Sequence, residues 1–214
     1  MCYSFESNYN SWFVSLISCV ILLLRNPTKS YIWVSLFTLT FAQIQVIEAM
    51  IWSHVEKGDM LSANKLAKYI VPLLWAQPIV NCICAYNFTG NPIMLPLIFI
   101  YLIIFLYQYQ QAFYVDETYV KVEPSGHLGW YRNDANGNFI GMIGGWTFGI
   151  IYLVGLFLPG LYVEDPVVKY MSLAFFILSF AQTAIMFTPQ EFSSVWCNVS
   201  VGFIVMHTIA GTLM

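Results

Sequence analysis

Two cysteines, two glutamates and two histidines set the chemical question in this chain: Cys2, Glu6, Glu48, His54, His127 and Cys197. Thiolate, imidazole and carboxylate are the side chains that zinc prefers, and the first two also suit copper. The same groups could move protons. The candidate ligand or metal set is Cys2, Glu6, Glu48, His127 and Cys197, with Cys2, His127 and Cys197 as the central ligands and Glu48 as a further ligand or base. These residues are scattered, and no spacing motif such as HExxH joins them. No residue is assigned as catalytic. A plainer reading leads: Glu48 holds hydrogen bonds inside a bundle, His127 ends a turn, and the thiols are inert. A Cys2–Cys197 disulfide in an oxidising lumen and S-acylation of Cys2 are further alternatives.

A second polar group lies in the most apolar stretches: Gln45, Gln77, Asn81 and Gln182. Gln77 and Asn81 are four residues apart and share one helix face. Pro78 between them frees backbone carbonyls, and broken backbone beside polar side chains is how transporters build sites within the membrane. The plainer reading is interhelical hydrogen bonding, worth about 0.6 kcal/mol per pair.

What must position these residues follows from composition. Apolar types make up 59% of the 214 residues, aromatics 18%, and charged residues only 9%. A soluble domain carries roughly 25% charged residues. This chain is too poor in charge to cover a water-facing surface, so most of its solvent is lipid. The formal net charge is −3 and no basic run exists, which removes the electrostatic footprint of nucleic-acid binding. Five cysteines, three of them within apolar runs, do not form a secreted disulfide framework. The first residues lack the basic start of a signal peptide.

A spanning helix needs about 20 mainly apolar residues. Seven are predicted, at about 9–24, 31–53, 66–87, 93–113, 140–158, 167–187 and 193–213, in a single domain over 1–214. The expected fold is all-α: a multi-pass, seven-transmembrane-helix bundle. Seven crossings place the termini on opposite sides. The N-terminus, the 54–65 turn, the 114–139 segment and the turn at Pro189 then share one side. On that side Gln45, Glu48 and Trp52, at i, i+3 and i+7, face inward, because lipid would penalise an ionised carboxylate. Cys2, Glu6, His54, His127 and Cys197 come to the same level. His207, ten residues past Cys197, lies about 15 Å deeper. Lys57, Lys65, Lys68, Lys121 and Arg132 sit on this side, against Arg25, Lys29 and Lys169 opposite. That balance leans toward a cytoplasmic N-terminal side.

The one long polar connection, 114–139, reads as a hairpin: "YVKVE" and "HLGWY" flank a Pro-Ser-Gly turn. "GMIGGWTFG" puts Gly141, Gly145 and Gly149 on one stripe, the pattern of close helix packing, with a neighbour in the same chain or in a second copy as a homo-oligomer.

"MCYSFES", "IEAMIW", "WAQPIVN", "GHLGWYR" and "SSVWCN", in that order, resemble a little-characterised seven-helix membrane family associated with large DNA viruses, algae and bacteria. The resemblance spans nearly the whole chain. It implies the seven-helix architecture and marks Cys2, Glu6, Glu48, Gln77, Pro78, His127, Trp130, Trp196 and Cys197 as characteristic positions. It implies no chemistry. Two other seven-helix classes fail residue by residue. The last predicted helix has no lysine, so no retinal Schiff base can form there. Three histidines, one too deep, do not supply the several-histidine zinc site of alkaline-ceramidase-like hydrolases. The expectation is a non-enzymatic integral membrane protein that binds a small ligand or metal at its N-terminal side. A small transporter or channel and a metal-dependent membrane hydrolase are the alternatives.

Overall fold

The computed structural model describes residues 4–213, with Ser193 described by its backbone alone. The chain is mostly helical, at 76%. Helix α1, Phe5–Arg25, starts where the Ser4 hydroxyl accepts the Ser7 N–H at 3.2 Å. Pro27 follows its end, and Thr28 caps α2, Lys29–Val55. At 27 residues α2 is about 40 Å long, the longest helix here. Gly58, at φ 73°, turns the chain into α3, Met60–Ala67, which Asp59 caps. Helix α4, Ile70–Thr89, runs unbroken through Pro78 and ends at Gly90, φ 67°. Helix α5, Met94–Gln110, closes in a π turn, Gln111–Val115.

The polar connection then forms an antiparallel hairpin, β1 Glu117–Val122 and β2 Leu128–Asn133, with Thr118 opposite Arg132 and Val120 opposite Trp130. Helix α6, Trp146–Phe157, leads into a 3-10 turn, Pro159–Tyr162. Asp165 caps α7, Pro166–Met186. Helix α8, Pro189–Val199, opens with a complete capping box between Thr188 and Glu191, and α9 follows as Val201–Leu213.

Six helical stretches are long and apolar enough to cross a membrane: 5–25, 29–55, 60–89, 94–115, 166–186 and 189–213. The seventh apolar stretch, Trp146–Tyr162, is shorter. Its expected start at 140 is wrong for a local reason. Gly141, Gly144 and Gly145 have φ of 72°, 96° and 88°, a left-handed backbone that no helix contains. The expected glycine stripe is corrected with it. Gly141 and Gly145 lie outside α6, and a Cβ on Gly149 would meet open space. The close approach is made instead at Gly155. A Cβ there would sit 2.6 Å from the Pro78 Cβ and 2.6 Å from the Tyr101 ring, so α4, α5 and α6 meet through this one missing methyl.

Outward faces are apolar: Phe99, Ile103, Leu178 and Ile185 are all exposed. Tyr114 and Trp146, exposed at the ends of their helices, mark an aromatic fringe of the kind found where hydrocarbon meets water. The centre is filled by rings, with Phe41, Phe176 and Trp196 in mutual contact and Phe203 stacked on Phe176. At one end the start of α1, the α2–α3 turn, the hairpin and the α7–α8 turn gather. The Phe5 N–H reaches Glu56 at 3.4 Å, the Val120 N–H reaches Asn64 at 3.0 Å, and His127 lies edge-on to Phe187 at 5.1 Å.

Candidate functional site

The gathering end is organised by α8. Glu191, Ser194, Cys197 and Asn198 fall at i, i+3, i+6 and i+7, which places them on one face of the helix. Each meets a different part of the fold. One Glu191 oxygen accepts the Ser125 hydroxyl from the hairpin tip, and the other accepts the Thr188 N–H at 3.1 Å and hydroxyl at 2.6 Å. One turn deeper the Ser194 hydroxyl donates to Glu48 on α2. Another turn in, the Asn198 amide donates to Gln45 at 3.4 Å and its oxygen accepts the Ser11 hydroxyl of α1 at 3.4 Å. Glu48 and Gln45 are wholly buried, and Cys197 is nearly so. Burial of a carboxylate at this depth is costly unless hydrogen bonds compensate it, and the Ser194 hydroxyl supplies one.

A second polar seam adjoins the first. Tyr152 of α6 donates its hydroxyl to Gln77 of α4 and stacks edge-on against Trp75 at 5.8 Å. Both Gln45 and Gln77 keep their amide nitrogens buried without an acceptor among the described residues. The interior between α2, α4, α6 and α8 therefore carries the Glu48 carboxylate, the carboxamides of Gln45, Gln77 and Asn198, the Tyr152 phenol and the Cys197 thiol.

The candidate ligand or metal set divides accordingly. Glu48 and Cys197 belong to the α8 seam, and His127 sits buried above it at the hairpin end. Glu6 is exposed in the first turn of α1 and joins none of them. Cys2 lies outside the described residues. Among the described residues no three of His, Cys, Asp and Glu come together to hold a metal. His54 pairs at 3.1 Å with Asp59, half-exposed in the α2–α3 turn. His207 is satisfied deep in the bundle, with Nδ1 on the Phe203 carbonyl at 2.8 Å and Nε2 on the Ser172 hydroxyl at 3.2 Å. Donation to the carbonyl assigns the proton to Nδ1.

The expected polar interior also divides. Gln45 and Gln77 are in it. Asn81 is buried but fully used: it accepts the Trp33 indole N–H at 2.7 Å and donates to the carbonyls of Gly155 and Leu156 at 3.1 and 2.9 Å. It is a clamp between α2, α4 and α6. Gln182 is exposed on α7, with its amide over the Met186 sulfur, so it does not line the interior. Its partner three residues back, Ser179, is the inward group and accepts the Trp196 indole N–H at 3.0 Å.

The hairpin closes the gathering end. Its inner face consists of Thr118, Val120, Leu128, Trp130 and Arg132, all buried. At its base Arg132 donates through Nε and Nη2 to one Asp116 oxygen, at 2.7 and 2.6 Å, and through Nη1 to Gln108 of α5. Gly144 leaves the space that Gln108 fills: a Cβ there would lie 2.6 Å from the amide nitrogen. At its tip the Ser125 hydroxyl donates to Glu191, and the buried His127 beside it packs against Phe187. A hydrogen bond to a charged group contributes about 1.5–3 kcal/mol, whereas breaking a buried ion pair costs about 3–5 kcal/mol. Of these two polar contacts the ion pair at the base is the stronger.

Burial pushes the His127 imidazole below its ordinary pKa, and the nearby Glu191 carboxylate opposes this in part. A depressed folded-state value means the unfolded chain takes the proton first. Stability is then present above the ordinary imidazole range near ~6.5 and is lost as pH falls through the folded value. The expected outcome is a melting temperature that falls below about pH 6.5 in the native chain and falls less in His127→Gln, read by thermal unfolding in detergent between pH 8 and 5. Parallel curves would remove His127 as the source.

Sequence reasoning did not find Glu191, Ser194, Tyr152, Asp116 or Gln108. For Glu191 a signal existed: "TPQE" is a capping box with proline at the first helical position. No protein-family model, curated protein or solved structure matches the chain.

Proposed function

We propose that this chain is an integral membrane protein that crosses the bilayer seven times and binds a small polar ligand at the Glu48–Ser194 seam, beneath its N-terminal end. The observation that carries this reading is Glu48 itself, a wholly buried carboxylate held by a serine from another apolar helix. Ionisable residues inside membrane bundles are expensive, and function is the usual reason they persist. Three further donors and acceptors stand beside it: Gln45, Asn198 and Cys197.

The seventh crossing in this reading is Trp146–Tyr162, 17 residues and at most about 25 Å as a helix, against a hydrocarbon core of about 30 Å. Local thinning and the exposed Trp146 anchor accommodate such a mismatch at modest cost. The resemblance to the seven-helix membrane family implies the same count. Orientation rests on a thin margin. Arg132 is taken up in its ion pair, leaving Lys57, Lys65, Lys68 and Lys121 against Arg25, Lys29 and Lys169. The reading keeps the N-terminal side cytoplasmic.

Ligand binding is preferred to transport because Asn81 is consumed as a clamp and Gln182 faces outward, which halves the polar pathway. A hydrolase would need a metal cluster, and the binding reading needs none. The test is a thermal-shift screen of small polar solutes on the detergent-solubilised protein. A solute that raises the melting temperature of the native chain should lose at least tenfold in affinity on Glu48→Gln, which keeps shape and removes charge. A stabilising solute that acts equally on both proteins would place its site elsewhere.

A further inference from the structure

We propose that a slot between α6 and α7, at the end of the bundle away from the hairpin, holds one hydrocarbon chain of a phospholipid whose zwitterionic, primary-amine headgroup sits between Lys29 and Glu164. The slot and the Glu48 seam lie at opposite ends, and neither needs the other.

The slot follows from a gap in the packing. Helices α6 and α7 scarcely touch, and the 3-10 turn between them packs against both and against α4. Behind the gap lies a narrow cavity of about 360 Å³ counting its open side, walled by Trp33, Val34 and Phe37 of α2, Phe176 of α7 and Phe203 of α9. That volume is at the lower end of the range for ligand sites. The rim residues Phe157, Gly160 and Leu173 are only half-buried, so the slot opens sideways between α6 and α7. Ile150, Val154 and Ile177 are exposed on the same two helices, which makes the surface around the opening one that meets lipid.

Hydrocarbon suits the slot because the polar side chains in its wall are already engaged. Asn81 accepts the Trp33 indole N–H and donates to the Gly155 and Leu156 carbonyls. The Ser172 hydroxyl donates to His207. A water held in such a cavity needs two to four polar partners. What the wall offers instead is aliphatic and aromatic surface. Gly160 widens the rim, since a Cβ there would meet nothing within 4 Å.

The headgroup is set by what lies one turn above. Trp33 also walls a smaller hollow, together with Lys29, Ser30, Thr89 and Glu164. Lys29, Trp33 and Phe37 follow one another down a single face of α2, so the charged mouth and the apolar slot form one line about 12 Å long. Lys29 and Glu164 are both exposed, and neither is in an ion pair among the described residues. A cation and an anion standing apart at the mouth complement the phosphate and the ammonium of one headgroup. A headgroup with the phosphate and no amine would satisfy Lys29 and bring like charge to Glu164.

The probe is phosphatidylethanolamine, with phosphatidylglycerol as competitor, added to the full-length protein in detergent and counted as retained lipid by native mass spectrometry. The native chain should keep one ethanolamine lipid and prefer it to the glycerol lipid. Gly160→Leu fills the slot and should weaken retention at least tenfold. Gly160 lies outside the left-handed region, so a side chain brings no backbone strain there. Glu164→Gln should weaken the ethanolamine lipid about fivefold, the upper end for an exposed ion pair, and leave the glycerol lipid nearly unchanged. Equal retention by the native chain and Gly160→Leu would mean that lipid merely coats the outer surface, and overturns the slot. A native chain that keeps neither lipid, or prefers the glycerol one, overturns it too. If Gly160→Leu fails to fold, Glu164→Gln decides, and an unchanged preference between the two lipids overturns the proposal. None of these outcomes bears on the Glu48→Gln test.

Discussion

Arg132→Met should destabilise the protein by about 3–5 kcal/mol, because it leaves the Asp116 carboxylate buried without its counter-charge. Both side chains are almost wholly enclosed, and the guanidinium makes three hydrogen bonds that no other residue can replace. Arg132→Lys should recover only part of the loss, since an ammonium cannot span Asp116 and Gln108 in one plane. The decisive comparison is a cycle with Asp116→Leu. Removing both charges together should be much milder than removing the arginine alone, because the desolvation penalty disappears with the pair. Reversible unfolding in mixed micelles measures all four proteins. A single-variant cost below about 1 kcal/mol would mean that water reaches the pair and that the hairpin base is not a buried anchor.

Gly155→Val should be comparably severe. The added Cβ would stand 2.6 Å from the Pro78 Cβ and from the Tyr101 ring, and neither is the end of a flexible chain. Tyr101 is held by its hydroxyl on the Ile151 carbonyl at 2.7 Å. Relief requires α6 to move off α4, which pulls Gly155 and Leu156 away from the Asn81 amide. Overpacking alone costs about 1–3 kcal/mol, and the lost hydrogen bonds add about 0.6 kcal/mol each. The total is on the order of 3 kcal/mol, or roughly 10 °C in melting temperature for a chain of this length. Gly149→Val is the control: nothing lies within 4 Å of that position, so its melting temperature should barely change. Equal effects at the two glycines would contradict the packing described for α6.

The two residues also show what could be read from the sequence. Hydropathy placed all seven apolar stretches, because a run of lipid-compatible residues needs no tertiary information. It could not separate Gly141, Gly145 and Gly149 from Gly155. A glycine stripe at four-residue spacing is the same string whether the backbone is helical or left-handed, and here "IGMIGGW" turns before the helix begins. Helix periodicity correctly turned Glu48 inward on α2, where composition supplied the argument that lipid rejects it. It sent Gln182 inward as well, and failed, because Ser179 and Thr183 on the same helix already satisfy that face. The hairpin was visible in its Pro-Ser-Gly turn. Its ion pair was not, although Asp116 and Arg132 flank that turn almost symmetrically, as diagonal neighbours across a hairpin do. Ser194 looked like any small residue of an apolar helix. Only the packing of α8 on α2 gives it a carboxylate to hold.

The central claim is that the chain crosses the bilayer seven times, so that the hairpin and the Glu48 seam lie at the end opposite the 3-10 turn after α6. Single cysteines at Asn136 and Glu164, both exposed and on either side of α6, test it most directly. In sealed vesicles an impermeant maleimide should label one of the two and reach the other only after permeabilisation. Labelling of both from the same side would mean that Trp146–Tyr162 does not cross, and the seven-helix arrangement would fall.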